Sequence, residues 1–472
     1  MKKEGRFVGQ ETRARRVAAG FLKKKKHVAP VRLIVVSFLI LILGGTFLLW
    51  LPFSSWNGRF TPIWDSFFTA TSATCVTGLA VYDTYTHFNY FGQGVILLLI
   101  QVGGLGFATM ATGFSVLLRR RLGLRELLLA SESASGDSLD IARLLRVVLS
   151  FTFACELAGT LLLLIRFLPR YGLLGIWLAI FHSVSAFCNA GFDLMGVTSP
   201  GAGMTLFAGD PLVCLTLATL IIIGGVGFVV ISDVYVSRLR PLLRREKRVA
   251  LNYHSVLCLW GSAVLLFSGT VAFFMCEYAN TLQGMNFWEK LNTAFFQSTS
   301  ARTAGFASVN IGEESNITKL FTILLMLIGA CPGSTGGGIK ITTAVVLVST
   351  VVCTLSGRDE AAFRRRHFSR VSVYRAFTVM ASACVLLFIA TCALMALNEE
   401  ISGIDVLFET VSAFATVGLS SAGTVSFGVG SRMILCVLMF VGRVGPLSLF
   451  MAFTNQPRRS NLILPEGKLI IG

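Results

Sequence analysis

Four glycines stand in closely similar surroundings and recur at nearly constant intervals along the chain. They are Gly78, Gly191, Gly305 and Gly418, spaced 113, 114 and 113 residues apart, and each follows a Ser-Ala pair. Glycine lets the backbone adopt conformations forbidden to other residues and approach another group closely. Backbone carbonyls gathered in this way can replace the water around a cation without holding it as tightly as a carboxylate would. The chemistry these stretches could perform is therefore the binding and release of a cation.

The residues expected to present those carbonyls lead into each glycine. They are Cys75, Val76, Thr77 and Gly78; Asn189, Ala190 and Gly191; Thr303, Ala304 and Gly305; and Thr416, Val417 and Gly418. A single such glycine would be an ordinary turn residue. Four at a common period, each after a short helical segment, indicate an internal repeat with a shared function.

The composition is that of an integral membrane protein. Of the 472 residues, 54% are hydrophobic and 14% are charged, against about 25% charged in soluble domains. Apolar runs recur from about residue 31 onward, and no polar block is large enough to form a separate catalytic domain. The five histidines are scattered without a metal-ligand spacing, and no carboxylate pair stands out. We therefore do not expect an enzyme.

The formal net charge of +17 is distributed in a way that indicates topology rather than nucleic-acid binding. The basic residues concentrate in five clusters, at residues 2–26, 119–125, 238–248, 358–366 and 458–459. These clusters precede the first repeat and follow each repeat, so the positive-inside rule predicts that both termini and all repeat boundaries are cytoplasmic. Contacts of these clusters with membrane lipid or a cytosolic partner are a second interpretation.

Each repeat is predicted to contain a spanning helix, a short helix and a second spanning run. The first helices are predicted at Val31–Leu51, Ile141–Leu168, Val249–Glu277 and Val373–Leu397. The short segments are Thr61–Thr74, Leu173–Phe187, Phe287–Thr299 and Ile404–Ala413. The second runs are Tyr90–Leu118, Pro211–Val236, Lys319–Leu355 and Arg432–Phe453.

The short segments cannot cross a hydrocarbon core of about 30 Å at about 1.5 Å per residue. They are expected to enter the membrane and return, which is tolerated where the returning backbone is buried in protein or lines a watery path. We therefore predict an all-α integral membrane protein with four parallel helix–re-entrant loop–helix repeats around a pseudo-fourfold central pore. The predicted parts are a basic cytoplasmic tail at 1–30 and pore repeats at 31–120, 121–248, 249–370 and 371–472, the last with a short C-terminal tail.

The stretches TCVTGL, CNAGFD, RTAGF and TVGLS resemble the four filter loops of the Trk/Ktr/HKT superfamily of potassium transporters. The resemblance covers essentially the whole chain after the basic tail. Eight predicted spans and the ending Pro465-Glu466-Gly467-Lys468 are most similar to the KtrB-type pore subunit of bacteria. A TrkH-type subunit is one alternative, and an inverted-repeat carrier of an organic solute, which the parallel repeats disfavour, is another.

The resemblance implies potassium uptake, often sodium-dependent, in the bacterial inner membrane. It also implies a homodimer with one pore per subunit, docked on a cytosolic regulatory ring that binds a nucleotide such as ATP, ADP or NAD. Potassium would be held by the backbone carbonyls of the filter residues. In the plant branch a serine at the first filter glycine accompanies sodium permeation, so Gly78 favours potassium here.

The second helices contain candidate gate residues. Arg443 stands where the first two repeats have Gly104 and Gly225, so we expect it to project into the pore as an electrostatic barrier. The third repeat has instead a run of small residues, which comprises Gly333, Ser334, Thr335, Gly336, Gly337, Gly338 and, after Ile339, Lys340. Ile339 excludes a phosphate-binding loop, which requires adjacent Gly and Lys. A plain kink remains open, but a flexible intramembrane gate, which the family's loop resembles, is favoured.

Polar residues also stand four positions before each alanine of the Ser-Ala pairs. They are Thr69, His182, Gln297 and Glu409. We expect them to satisfy backbone groups behind the filter, because buried polar groups are nearly always hydrogen-bonded. A sodium or proton site at Glu409 or His182 is an alternative. Arg302, inside the third stretch, is expected to give structural support.

Overall fold

The computed structural model describes residues 30–106, 141–239, 241–242, 249–358, 360–364, 366–446 and 449. The basic tail, the clusters at 119–125 and 458–459, most of the cluster at 238–248 and the C-terminal tail lie outside the described residues, as does the predicted span beyond residue 106. The described part is mostly α-helical, and its one sheet is a hairpin of two short strands.

The helices coincide with the predicted runs in the order first helix, short helix, second helix, four times over. The first helices are α1 (Pro30–Trp50), α4 (Ile141–Tyr171), α8 (Tyr253–Glu277) and α12 (Arg370–Leu397). The short helices are α2 (Ile63–Cys75), α5 (Leu174–Phe187), α9 (Phe287–Ser300) and α13 (Gly403–Ala415). The second helices are α3 (Tyr90–Gly104), α6 with α7 (Pro211–Val226, Phe228–Val234), α10 with α11 (Asn316–Leu327, Ile341–Leu355) and α14 (Val429–Val444).

Minor elements connect these helices. Single helical turns lie at Pro52–Ser54, Thr84–His87, Met195–Val197, Gly203–Phe207, Tyr235–Leu239, Ile311–Glu313 and Thr424–Ser426. Strand β1 (Ala362–Phe363) pairs antiparallel with β2 (Arg366–His367) between α11 and α12. The Tyr253 hydroxyl donates to the Phe363 carbonyl at 3.0 Å and joins this hairpin to the start of α8.

Side-chain caps define where several helices begin. The Asp210 carboxylate accepts from the Leu212 N–H at 3.0 Å, and Pro211 follows it as the first residue of α6. Ser315 and Ser369 accept from the N–H groups three residues later, at 3.3 and 3.2 Å, and begin α10 and α12. Such caps satisfy donors that have no partner within the helix. Proline suits the first helical position because its missing N–H would be unpaired there anyway.

The short helices form the interior, and the first helices surround them. Ten of the thirteen residues of α2 are buried, several of them polar. By contrast, only 28% of the most apolar window in each of α4, α8 and α12 is buried within the protein. Because the outward-facing residues of those helices are apolar, they are suited to contact with lipid.

The second helices are interrupted more often than the sequence analysis predicted. The predicted run Pro211–Val236 is not one straight helix, because α6 and α7 meet at a bend of 97°. Gly227 at that bend has φ +93°, and the aligned Gly106 and Gly445 have φ +69° and +87°. Only glycine adopts such a backbone without strain. The aligned glycine therefore has a positive φ in the first, second and fourth repeats, and in the second repeat the helix bends there.

Length and composition identify fewer spanning helices than the eight predicted. Within the described residues, Val147–Tyr171, Tyr253–Glu277 and Arg370–Leu397 are long and apolar enough to cross a membrane, and the bent pair α6–α7 would be a fourth. The shorter apolar helices are Val35–Trp50, Tyr90–Gly104, Leu174–Phe187, Asn316–Leu327 and Ile341–Leu355. The difference arises where glycines divide the second runs and where the predicted runs extend beyond the described residues.

Replacing Gly227 with alanine should destabilise the protein by about 1–3 kcal/mol, because a side chain there has positive φ and would crowd the Pro332 carbonyl. The matched control is Gly44→Ala in the middle of α1, where a Cβ meets nothing within 4 Å. The control should be neutral or stabilise by about 0.5–1 kcal/mol. Thermal unfolding of the detergent-solubilised protein measures both, and equal effects would contradict the assigned strain.

Candidate ion pathway

The four glycines lie side by side in a closed cyclic order. The Cα of each glycine faces the carbonyl of the residue that precedes the next glycine. Going round, the carbonyls faced by Gly78, Gly191, Gly305 and Gly418 belong to Ala190, Ala304, Val417 and Thr77. A Cβ on any of the four glycines would overlap that oxygen. Close approach of backbone to backbone therefore requires glycine at all four positions.

The backbone of each stretch alternates in handedness. The residues two before the glycines, Val76, Asn189, Thr303 and Thr416, have φ of +57°, +60°, +71° and +52°. The glycines themselves have φ of +94°, +71°, +82° and +97° in the same order. Non-glycine residues with positive φ are uncommon and carry strain. The same strained turn recurs four times, which indicates that it serves the common function of the stretches.

The alternating backbone leaves a set of carbonyls without hydrogen bonds. We call Val76–Gly78, Asn189–Gly191, Thr303–Gly305 and Thr416–Gly418 the glycine stretches. Among the described residues, no donor is bonded to any of their twelve carbonyl oxygens. Most buried carbonyls in proteins are hydrogen-bonded, because an unpaired one is costly. Twelve unpaired carbonyls in one small region are suited to binding a cation. The thirteenth predicted residue, Cys75, is the last residue of α2.

The serine of each Ser-Ala pair holds its glycine stretch in place. Ser72 and Ser412 accept from the N–H groups of Gly78 and Gly418, both at 3.1 Å. In the second and third repeats the serine hydroxyl donates instead, Ser185 to the Phe192 carbonyl at 2.7 Å and Ser300 to the Phe306 carbonyl at 2.6 Å. In the sequence these serines stand out only as markers of the repeat. Their presence in all four copies was the signal that could have identified this role.

Two of the polar residues behind the stretches bond to backbone groups, as expected. His182 accepts the Leu194 N–H at Nε2, 3.3 Å away, and its Nδ1 lies 2.7 Å from the Leu178 carbonyl. These partners assign a neutral ring with the proton on Nδ1. Gln297 accepts from the Ser308 N–H at 3.5 Å and its hydroxyl at 3.3 Å.

The other two make different contacts. Glu409 accepts from the hydroxyls of Ser420 at 2.6 Å and Thr424 at 2.7 Å, rather than from backbone groups. The Thr69 hydroxyl donates to the Asp65 carbonyl of its own helix at 2.9 Å. The expectation of backbone partners is therefore wrong for Glu409, whereas Thr69 does bond to a backbone carbonyl, within its own helix.

The predicted gate segment lies against the third and fourth glycine stretches. Gly336 packs on the side chain of Thr303 and Gly337 on that of Thr416, with no room for a Cβ on either glycine. The Thr335 hydroxyl donates to the Phe187 carbonyl at the end of α5, at 3.3 Å. The segment therefore contacts three of the four repeats next to the stretches.

Internal bonds shape this segment. Lys340 donates from Nζ to the carbonyls of Gly336 at 2.6 Å and Gly337 at 3.4 Å. Ser334 donates to the Cys331 carbonyl at 2.6 Å. Of the other residues predicted to form the gate, Gly333 accepts from the Phe228 N–H at 3.1 Å through its carbonyl, and Gly338 packs on Ala415.

Arg443 joins the predicted gate segment to the first repeat. Its guanidinium donates to the Thr335 carbonyl and to the Gly103 carbonyl near the end of α3. Gly103 in turn packs on the Thr74 carbonyl of α2. The repeat alignment predicted a pore-facing arginine, but it could not identify these two carbonyls as partners.

Arg302 is buried beside the first helix of its own repeat. It is 8% exposed and donates to the Ser262 carbonyl and hydroxyl, both at 3.3 Å. This agrees with the expected structural support.

The sequence did not indicate a buried polar cluster of Glu156, Gln101 and Cys188. Glu156 on α4 is 5% exposed and accepts from Gln101 at 2.9 Å, and the Gln101 side chain also accepts from the Cys188 thiol at 3.7 Å. These hydrogen bonds join the first two repeats next to the second glycine stretch.

Two ion pairs fix the short helices to neighbouring second helices. Asp65 of α2 lies 2.8 Å from Arg432 of α14, and Asp405 of α13 lies 2.8 Å from Lys319 of α10. The side chains of Asp65 and Arg432 are only 11% and 13% exposed. These pairs link the fourth repeat to the first and to the third.

Breaking the Asp65–Arg432 pair should cost far more than breaking an exposed one. Asp65→Asn or Arg432→Gln should each destabilise by about 3–5 kcal/mol, because each leaves an uncompensated buried charge. The double variant should cost much less than the sum of the two. The control pair is Arg166–Asp210, at 2.9 Å with Arg166 52% exposed, which should contribute about 0–1 kcal/mol. A double-mutant cycle in mixed detergent micelles measures both; equal coupling energies would contradict this assignment.

Comparison with known proteins identifies the family. The family model described as TrkH, cation transport protein, matches residues 21–462. The chain is 38% identical over 449 residues to the Ktr system potassium uptake protein B of Bacillus subtilis, covering 94% of this chain and 97% of that protein. It is 34% identical over 460 residues to the potassium/sodium uptake protein NtpJ of Enterococcus hirae, covering 95% and 98%.

A solved structure has the same fold. The crystal structure of the potassium transporter TrkH from Vibrio parahaemolyticus superposes with a TM-score of 0.69 at 17% identity, covering 92% of this chain and 86% of that one. The match of the family model over nearly the whole chain, together with these relatives, shows that the chain belongs to the TrkH family of cation transport proteins.

Proposed function

We propose that this chain takes up potassium across the cell membrane and that the four glycine stretches are its selectivity filter. The observation that carries the proposal is the set of twelve unpaired carbonyls brought together by the closed ring of glycines. Carbonyl rings of this kind replace the hydration shell of a cation and still release it.

Several features favour potassium as the cation. The relatives in Bacillus subtilis and Vibrio alginolyticus are named potassium uptake proteins. Glycine is retained at all four filter positions, including Gly78. The relative in Enterococcus hirae is named a potassium/sodium uptake protein, which supports a dependence on sodium for the uptake proposed here.

The proposed architecture has four parallel pore repeats, at residues 31–120, 121–248, 249–370 and 371–472, after the basic tail at 1–30. In each repeat the short helix is re-entrant and ends at the filter. The C-terminal end of a helix carries partial negative charge. Four such ends directed at the filter would add to the attraction for a cation.

Arg443 and the segment Gly333–Lys340 are the proposed gate. The segment packs on the third and fourth stretches, and Arg443 bonds to its Thr335 carbonyl. The two positive charges, on Arg443 and Lys340, repel a cation that has passed the filter. Withdrawal of the segment would open a path between the filter and the cytosol.

The proposed assembly is a homodimer in the bacterial inner membrane with one pore per subunit. Both termini would lie in the cytosol, where a regulatory ring that binds ATP, ADP or NAD would control the gate. The basic clusters at the repeat boundaries supply charge for contacts with that ring or with membrane lipid.

The filter is tested by Gly191→Ala. A methyl group there would overlap the Ala304 carbonyl and strain a residue at φ +71°. We expect potassium uptake to fall at least tenfold, which corresponds to about 1.4 kcal/mol of lost discrimination or conduction. Potassium-limited growth of an uptake-deficient bacterium and rubidium flux into liposomes measure the effect.

Gly44→Ala is the matched control, because a Cβ at Gly44 meets nothing within 4 Å. It should support wild-type growth. Failure of the membrane-inserted wild-type chain to restore growth would contradict potassium uptake, and wild-type flux in Gly191→Ala would contradict the filter.

The gate is tested by deleting Gly336–Gly338 and, separately, by Arg443→Ala. The deletion removes the residues that pack on Thr303 and Thr416, so flux should rise and no longer respond to the cytosolic partner. Arg443→Ala removes a positive charge and its bond to the segment, so it should also raise flux. Wild-type gating in the deletion, or unchanged flux and cation selectivity in Arg443→Ala, would refute the corresponding assignment.

A further inference from the structure

Glu314 is a buried carboxylate for which the described part of the chain supplies no partner. It lies in the segment between the third glycine stretch and α10 and is only 5% exposed. Among the described residues, neither of its carboxylate oxygens accepts a hydrogen bond, and no cationic side chain lies within ion-pair distance. An ionised carboxylate removed from water in this way is unfavourable unless a proton or a cation compensates its charge.

The neighbouring Glu277 is in the opposite situation. Its Oε1 accepts from the Thr318 hydroxyl at 2.5 Å and the Ser315 N–H at 2.9 Å. Its Oε2 accepts from Asn280 at 2.8 Å and from the Thr281 hydroxyl at 2.9 Å. Donors on both oxygens favour the ionised form. Because Ser315 directly follows Glu314, the unpartnered carboxylate stands beside an established negative charge.

Lys319, the lysine whose charge acts on Glu314, is paired with another carboxylate. It lies 2.8 Å from Asp405 and donates to the Gly312 carbonyl at 3.2 Å. Together Glu277, Glu314, Asp405 and Lys319 carry a net charge of −2 when all are ionised. This local excess of negative charge favours the binding of a small cation.

We propose that Glu314, with the charge of Glu277 beside it, forms a binding site for a monovalent cation of the sodium type, separate from the filter. No group of three or more metal-ligating side chains occurs in the described part of the chain. Ca²⁺ takes about six to eight oxygen ligands, and Mg²⁺ requires near-ideal octahedral geometry and keeps several of its waters. One buried carboxylate fits a weakly held monovalent ion better.

Protons compete with the cation for the same oxygens. Burial raises the pKa of Glu314 to about 8, with a further contribution from the charge of Glu277 and an opposing one from the charge of Lys319. Below that pH the carboxyl group holds a proton and binds a cation poorly. Above it the group is ionised, so cation binding is strongest at alkaline pH.

The site is connected to the third and fourth filter stretches. Gly312, whose carbonyl receives Lys319, packs on the Ser421 carbonyl. Ser421, three residues after Gly418, donates from its hydroxyl to Asp405 at 2.8 Å. A cation at Glu314 therefore stabilises the loops that follow two filter stretches. This inference supplies a site for the sodium dependence proposed above and rests on that proposal only for its consequence in transport.

The experiment measures thermal unfolding of the purified full chain while sodium replaces choline at constant ionic strength. Sodium should raise the unfolding temperature in a saturable way. The half-saturating concentration should be about tenfold lower at pH 9 than at pH 7, as follows from a carboxyl pKa near 8. Glu314→Gln should lose this pH-dependent response, whereas Glu313→Gln should keep it, because Glu313 is exposed and its neighbour Asn310 already donates to it.

Three results would contradict a cation site at Glu314. Equal sodium responses at pH 7 and pH 9 in the wild-type chain, or a response that survives in Glu314→Gln, would overturn the site. A pH-dependent stability without any sodium response would identify Glu314 as a simple neutral acid and would also overturn it. The filter variant Gly191→Ala separates the two proposals: it should lose potassium uptake and retain the response assigned to Glu314.

Discussion

The structure depends on the close approach of four glycines to four carbonyls. Each glycine Cα lies against the carbonyl that precedes the next glycine, so the four repeats meet through their backbones rather than their side chains. A side chain at any of the four positions would separate them. This contact closes the ring, and it brings together the unpaired carbonyls on which cation binding is proposed to depend.

Contacts with the surrounding protein stabilise the strained backbone of the four glycine stretches. Strained turns at Val76, Asn189, Thr303 and Thr416 persist because other contacts fix the chain on both sides. The Ser-Ala serines hold the stretches from within, and His182, Gln297 and Glu409 hold the returning chain behind three of them. The Asp65–Arg432 and Asp405–Lys319 pairs join the short helices to adjacent repeats. Polar contacts therefore determine the positions of helices whose outer surfaces are largely apolar.

The helices could be predicted from the sequence because the hydrophobic runs are long. The repeat of 113 or 114 residues also allows each run to be aligned with three others. The glycine stretches were predictable for the same reason. The bend at Gly227 could not be predicted, because helix propensity alone favours one continuous helix through an apolar run. The bend is accompanied by a contact with another repeat, in which the Phe228 N–H donates to the Gly333 carbonyl.

Long-range partners were also beyond the sequence. Nothing in the spacing of Glu156, Gln101 and Cys188 indicates that they meet, because contacts between repeats depend on packing that a single sequence does not specify. The same holds for Glu314, which reads as one of several acidic residues in a polar loop. Only burial without a partner distinguishes it.

Cation binding at the ring is tested most directly by a crystal structure of the chain in rubidium, with the ion located by its anomalous scattering. We expect rubidium on the axis of the ring, in contact with the carbonyl oxygens of Thr77, Ala190, Ala304 and Val417. Ordered rubidium elsewhere in the protein, with none at these carbonyls, would contradict it.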